Sequence, residues 1–233
     1  MKLGNSLLVA GGLLALGVLP AAANEAGSWT VYGGAGYVDP DNSALTFDDP
    51  ATDESARIDV DHASSVTFGA TYMFNENWAF DVLASWPFQH DVRAYDSGDP
   101  DSGWFKIGDI KQLPPIVSVQ YHFTTAGPFD PFVGIGLNYT RFYDEKLVSA
   151  VVDSGVDELR LDNSTGIAAQ LGGHWELNPS WNLGFDVRYV DIETNAMLGG
   201  PMVEEFFSAS RVDIGKIKVD PWIYSVNLGY HFD

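Results

Sequence analysis

Residues of unlike character alternate along this chain with a period of two, most clearly in the segment Trp222-Ile223-Tyr224-Ser225-Val226-Asn227-Leu228-Gly229-Tyr230-His231-Phe232. Trp222, Tyr224, Val226, Leu228, Tyr230 and Phe232 fall on one side, and Ser225, Asn227, Gly229 and His231 on the other. That spacing specifies a β-strand with two different faces. Aromatic residues at both ends of the apolar face suit a strand whose outside touches lipid, because their rings are at home at the two bilayer interfaces.

Seven further segments repeat the pattern: Ser28–Val38, His62–Phe74, Trp78–Gln89, Phe105–Phe123, Pro131–Tyr143, Ser164–Leu177 and Trp181–Ile192. Their connections are of two kinds. Asn75-Glu76-Asn77, Thr124 to Asp130 and Asn178-Pro179-Ser180 are short and built from turn-forming residues. Asp39 to Asp61, Asp91 to Trp104, Asp144 to Asn163 and Glu193 to Asp220 are long, and they carry most of the charge. Short turns at one end and long loops at the other are the layout of an outer-membrane barrel. The expected fold is therefore all-β: an eight-stranded antiparallel transmembrane β-barrel with short periplasmic turns and long extracellular loops.

A soluble eight-stranded barrel would place its apolar face inward. Here the polar face is rich in Gly, Ser, Asn and Gln, which suits a narrow interior. The apolar face ends in large aromatics such as Trp78, Trp175, Trp181, Trp222, Tyr230 and Phe232. The membrane reading is the stronger of the two. The first residues agree with it: Lys2, an apolar run from Leu7 to Leu19, then Pro20-Ala21-Ala22-Ala23. This reads as a signal peptide over residues 1–23 cleaved after Ala23, leaving 24–233 as the barrel. There is no cysteine, so disulfides and thiolate metal sites are excluded, and a net charge of −20 would repel nucleic acid.

Several stretches together resemble the OmpW family of small outer-membrane barrels. They are Leu113-Pro114-Pro115 leading to Gln120-Tyr121-His122-Phe123, the run from Pro131 to Thr140, Asp186-Val187-Arg188-Tyr189-Val190-Asp191-Ile192, Lys216 to Trp222, and Gly229-Tyr230-His231-Phe232. The resemblance implies a narrow, partly hydrophobic interior and a role in passing small hydrophobic molecules across the outer membrane. Barrels of this type usually end on an aromatic residue that the assembly machinery is thought to read, whereas here Asp233 follows Phe232.

Within this frame three prolines are out of place. Pro87 lies within the third strand, and Pro114 and Pro115 lie within the fourth. Proline lacks the N–H that a ladder needs. With the hairpin centred near Asp101, Pro87 falls opposite the other two. Two readings follow: a lateral opening through which an apolar solute leaves for the bilayer, or a bulge above the membrane with no transport role. Asp186 and Arg188 point inward, with Arg141 expected nearby. They could set pore selectivity, but in so small a barrel an internal ion pair that plugs the lumen fits better.

Five histidines, His62, His90, His122, His174 and His231, raise the question of nucleophilic catalysis. The stretch His62-Ala63-Ser64-Ser65 has no recognisable carboxylate partner, so a non-enzymatic protein without a cofactor is expected. Asp48-Asp49, Asp53-Glu54 and Asp59-Asp61 could hold divalent cations, although a solvated acidic surface is the simpler account. The expected partners are outer-membrane lipid and lipopolysaccharide, small hydrophobic solutes and the outer-membrane assembly machinery. A structural or adhesion barrel without conductance is the main alternative to transport, and a lipid-modifying enzyme the more distant one.

Overall fold

The computed structural model describes residues 25–41, 45–49, 54–96 and 103–232. The expected signal peptide lies outside them. In chain order the elements are β1 (Trp29–Asp39), β2 (Leu45–Asp49), β3 (Glu54–Val60), β4 (Ala63–Met73), β5 (Trp78–Ser85), β6 (Phe88–Asp96), β7 (Trp104–Leu113), β8 (Ile116–His122) and β9 (Phe129–Leu147). These are followed by α1 (Ser149–Asp153), β10 (Glu158–Leu161), β11 (Ser164–Asn178), β12 (Trp181–Val190), β13 (Glu193–Gly199), α2 (Pro201–Phe207), β14 (Arg211–Lys218) and β15 (Trp222–Phe232).

Eight of the strands close on themselves. The order β1-β4-β5-β8-β9-β11-β12-β15 returns to β1, with every pairing antiparallel. Closure leaves no edge, which a strand needs when its neighbour would otherwise be lipid. β15 is the closing stave: it pairs with β1 from Trp29↔Phe232 to Asp39↔Trp222. Its outward residues Trp222, Tyr224, Val226, Leu228, Tyr230 and Phe232 are all exposed, while Ser225 and Asn227 are buried inside. The alternation therefore resolves as apolar side out.

At the short-turn end the outward aromatics meet in pairs across the ladders. Trp29 touches Tyr72, Trp78 touches Tyr121, and Trp181 touches Tyr230, with ring centroids 4.8, 5.0 and 5.0 Å apart. This is the girdle expected at a bilayer interface. Two of the turns below it are built alike. Asn75 Oδ1 accepts hydrogen bonds from the backbone N–H groups of Asn77 and Trp78, and Asn178 Oδ1 accepts from those of Ser180 and Trp181.

The other end departs from expectation. The third segment is not continuous: it breaks at Trp86-Pro87 into β5 and β6. The fourth breaks at Pro114-Pro115 into β7 and β8. The long connections are not plain loops either. β6 and β7 form a hairpin that extends the wall upward and pairs with β3 on one side and β9 on the other. β10, β13 and β14 make a separate three-stranded sheet. Above the membrane a ladder can continue as long as its residues tolerate extended backbone, so charge density alone does not mark where strands stop.

The lumen has two tiers. Towards the long-loop end it is apolar: Val38, Leu83, Phe88, Ile110, Ile116, Phe142, Val190 and Ile223 belong to one buried cluster. Below it the inward residues are polar, including Thr71, Asp81, Ser118, Gln170, Asp186, Arg188 and Asn227, all buried.

Candidate functional site

The polar tier is organised around Arg188 on β12. Its Nη2 lies 3.3 Å from Asp81 Oδ2 across the barrel on β5, and its Nη1 lies 3.3 Å from Asp186 Oδ2 on its own strand. Its Nε donates to Gln170 Oε1 at 2.6 Å, and Gln170 in turn donates to Ser118 Oγ at 2.9 Å. The hydroxyls of Tyr32 and Thr71 donate to Asp81 Oδ1 at 2.9 and 3.0 Å. Gly69 makes room for this arrangement, since a Cβ there would collide with the Tyr32 hydroxyl. Side chains from six strands thus converge on one guanidinium and two carboxylates. The free space they leave is about 10 Å³, room for roughly one water molecule. At this level the ion-paired Arg188, Asp186 and Asp81 side chains fill the lumen as a plug.

Arg141 is not part of the plug. It sits on the outward face of β9, in phase with the exposed Leu137 and Tyr139, and is itself exposed. The two-residue alternation from Leu137 already carries Arg141 outward, so its expected place in the lumen is corrected. The reverse omission concerns Asp81, Gln170 and Tyr32, which complete the plug. An acid in the middle of a spanning strand was the available signal, because such a residue must find a cation or a water-filled space.

Pro87, Pro114 and Pro115 lie on the two sides of one break in the ladder. The ladder between β5 and β8 ends at Leu83↔Ile116, and the ladder between β6 and β7 begins at Phe88↔Gln112. Between these pairs, residues 84–87 on one side and 113–115 on the other have no ladder partner across the seam. The outer flanks remain tied. Trp86 N–H donates to Val66 O at 2.8 Å, and Tyr139 N–H donates to Pro115 O at 3.1 Å. The gap is therefore confined to one interface of the wall. Leu83, Phe88 and Ile116, all buried in the apolar cluster, line its inner side.

The remaining candidates disperse. His62 Nδ1 lies 3.0 Å from Asp61 Oδ1, while Ser65 Oγ donates to the Trp86 carbonyl. Of the acidic pairs named for cations, Asp53 and the side chains of Asp48, Asp49 and Glu54 lie outside the described residues. Asp61 is engaged by Arg93 and His62.

Elsewhere in the extracellular sheets, acids are held by bases. Arg211 holds the Glu158 carboxyl below its ordinary value, and Lys218 does the same for Glu193. A carboxyl lowered in the folded state contributes stability that is fully present above its unfolded value and is lost as pH falls through the folded one. Acidification below about pH 4 should therefore loosen β10, β13 and β14 before the spanning strands. Amide exchange followed against pH checks this ordering; simultaneous loosening of β11, β12 and β15 would contradict it.

Comparison with known proteins places this geometry. The family profile described as "OmpW family" matches residues 25–232. Outer membrane protein W of Vibrio cholerae is 34% identical over 221 residues, covering 94% of this chain and 95% of that protein. The crystal structure of the outer membrane protein OprG from Pseudomonas aeruginosa superposes with a TM-score of 0.77 at 34% identity, covering 90% of this chain and 97% of that one. A more distant relative, the "Dibenzothiophene metabolism operon protein PahQ" of Pseudomonas aeruginosa, is 22% identical over 209 residues, 89% of this chain and 90% of that protein. A closed eight-stranded barrel with an apolar exterior, matched over nearly its whole described length, identifies the chain as an outer-membrane protein that belongs to the OmpW family.

Proposed function

We propose that this protein passes small hydrophobic molecules through the outer membrane and releases them sideways into the bilayer at the seam beside Pro87, Pro114 and Pro115. The observation that carries the reading is the ladder break itself. A solute entering from outside meets an apolar upper lumen, formed by Val38, Leu83, Phe88, Ile116 and Phe142. Directly below it meets the Arg188 plug, where about 10 Å³ is free. An apolar molecule has nothing to gain from a desolvated ion-pair network and no room to pass it. The unpaired stretch of wall is the remaining way out, and a seam open to lipid is tolerable where protein or solute covers its backbone groups. The solute class also agrees with the name of the PahQ relative, since dibenzothiophene is a flat, uncharged aromatic.

Replacing Pro87, Pro114 and Pro115 by valine restores three N–H donors and allows the two ladders to join. Cells carrying this variant, with folded barrel at normal levels in the outer membrane, are expected to take up dibenzothiophene no faster than cells lacking the protein. Uptake at the unmodified rate would sink the lateral route. The plug also suits a barrel without conductance, in which case deleting the whole protein leaves uptake unchanged.

A further inference from the structure

The lumen holds a second polar cluster below the plug, at the short-turn end. His122 closes β8, Asp130 is the second residue of β9, and His174 lies on β11 directly across the ladder from Asp130. His122 and Asp130 are buried and His174 is partly so. One donor atom from each of the three lies within 4.8 Å of the other two. His122 Nδ1 is 2.6 Å from Asp130 Oδ2, and His174 Nδ1 is 3.8 Å from the same oxygen.

We propose that His122, Asp130 and His174 bind a divalent transition-metal ion of the zinc type at the periplasmic mouth of the barrel. Two imidazoles and a carboxylate are a donor set that zinc accepts, at about 2.0–2.2 Å to each ligand atom. The three come from neighbouring strands, so one ion would staple β8, β9 and β11. Three protein ligands leave a fourth position. Glu176, two residues further along the inward face of β11, interacts electrostatically with both His174 and Asp130.

Two features of the geometry suit a cation at this position. The first concerns His122, whose Nε2 lies 3.0 Å from Gln120 Oε1 while its Nδ1 faces Asp130. In the tautomer that donates Nε2–H to Gln120, the Nδ1 lone pair faces Asp130 and is open to an ion. With an ion between Nδ1 and Asp130, the ring keeps its proton on Nε2 for Gln120, and a metal-bound histidine is commonly oriented by such an outer hydrogen bond. The second concerns His174. It has ring contacts with Phe132 and His122, but its Nδ1 stops short of Asp130 at a distance too long for a hydrogen bond. A partly buried imidazole held 3.8 Å from a carboxylate oxygen is spaced to share an ion with it.

The test uses the full-length barrel without an affinity tag, folded in detergent micelles and titrated with zinc chloride by calorimetry. Cobalt(II) serves as a second probe, because its visible absorption reports nitrogen and oxygen ligation. Saturable one-to-one binding is expected. His174→Ala should weaken it at least about tenfold and abolish the cobalt band, and His62→Ala, in the extracellular region, should leave both unchanged. Among the described residues His174 makes no side-chain hydrogen bond that would be lost, so this variant is expected to fold; its circular dichroism spectrum should match that of the unmodified barrel. The proposal is overturned if the unmodified protein shows no saturable zinc binding. It is equally overturned if His174→Ala, folded, binds zinc as tightly as before, which would assign the binding to the extracellular acids.

Discussion

Replacing Arg188 by methionine should lower the stability of the folded barrel by about 3–5 kcal/mol, the loss typical of removing one partner from a buried ion pair. Methionine keeps much of the side-chain volume, so the loss is not chiefly one of packing. It comes from Asp81 and Asp186, whose carboxylates then face each other's negative charge in a closed space without the cation that lies 3.3 Å from each. Gln170 Oε1 loses its donor at the same time. The converse arm separates an unpaired charge from a missing contact. In the triple variant Asp81→Asn, Asp186→Asn, Arg188→Met the plug is neutral, and most of the lost stability should return, because a buried ion pair is itself nearly break-even against a neutral replacement. Urea unfolding in lipid vesicles, followed by tryptophan fluorescence, measures both. If the triple variant is no more stable than the single one, the carboxylates do not depend on Arg188 and the plug is not an electrostatic unit.

The plug also shows where the sequence was legible and where it was not. That Asp186 and Arg188 face inward follows from the alternation Asn182, Asp186, Arg188 against Leu183, Phe185, Val187. That Asp81 is their partner does not, because it depends on the stagger of strands 107 residues apart in the chain. A period of two fixes which face a residue occupies but not its height in the barrel. The same limit hid the cluster of His122, Asp130 and His174: both histidines read as inward, yet only the register that sets His174 opposite Asp130 brings them together. The proline seam was readable because both its halves lie in one hairpin, where a local turn sets the register. Arg141 went astray for another reason. β9 reaches the bilayer interface at that height, beside Leu113 of the seam, so a charge on its outer face is tolerated there.

That height leads to the second large effect. Ile135→Arg should cost about 2–4 kcal/mol in a bilayer, the figure for a cation on the lipid face at the midplane. Ile135 faces outward on β9 and is 64% exposed. Its position along the strand follows from its neighbours. Arg141 is six residues further on the same face, and six residues of strand span about 20 Å. With a tilt near 45° that is roughly 14 Å of depth, about half the ~25 Å apolar band of such barrels. Six residues in the other direction, Phe129 joins the aromatic girdle through Trp175 and Phe185. Ile135 therefore lies midway between a tolerated arginine and the opposite interface.

Position alone distinguishes the native Arg141 from an arginine introduced at Ile135: same strand, same face, same charge, different depth. Were the exterior in water, adding a charge to an exposed side chain would change stability by no more than about 0.5 kcal/mol in either direction. Urea unfolding of the variant in vesicles decides between these, with Arg141→Ile as the matched control, expected to shift stability little because the interface is forgiving. Equal stability of Ile135→Arg and the unmodified barrel would mean that the apolar face at this depth does not meet hydrocarbon, and the assignment of the greasy side of every strand would fall with it.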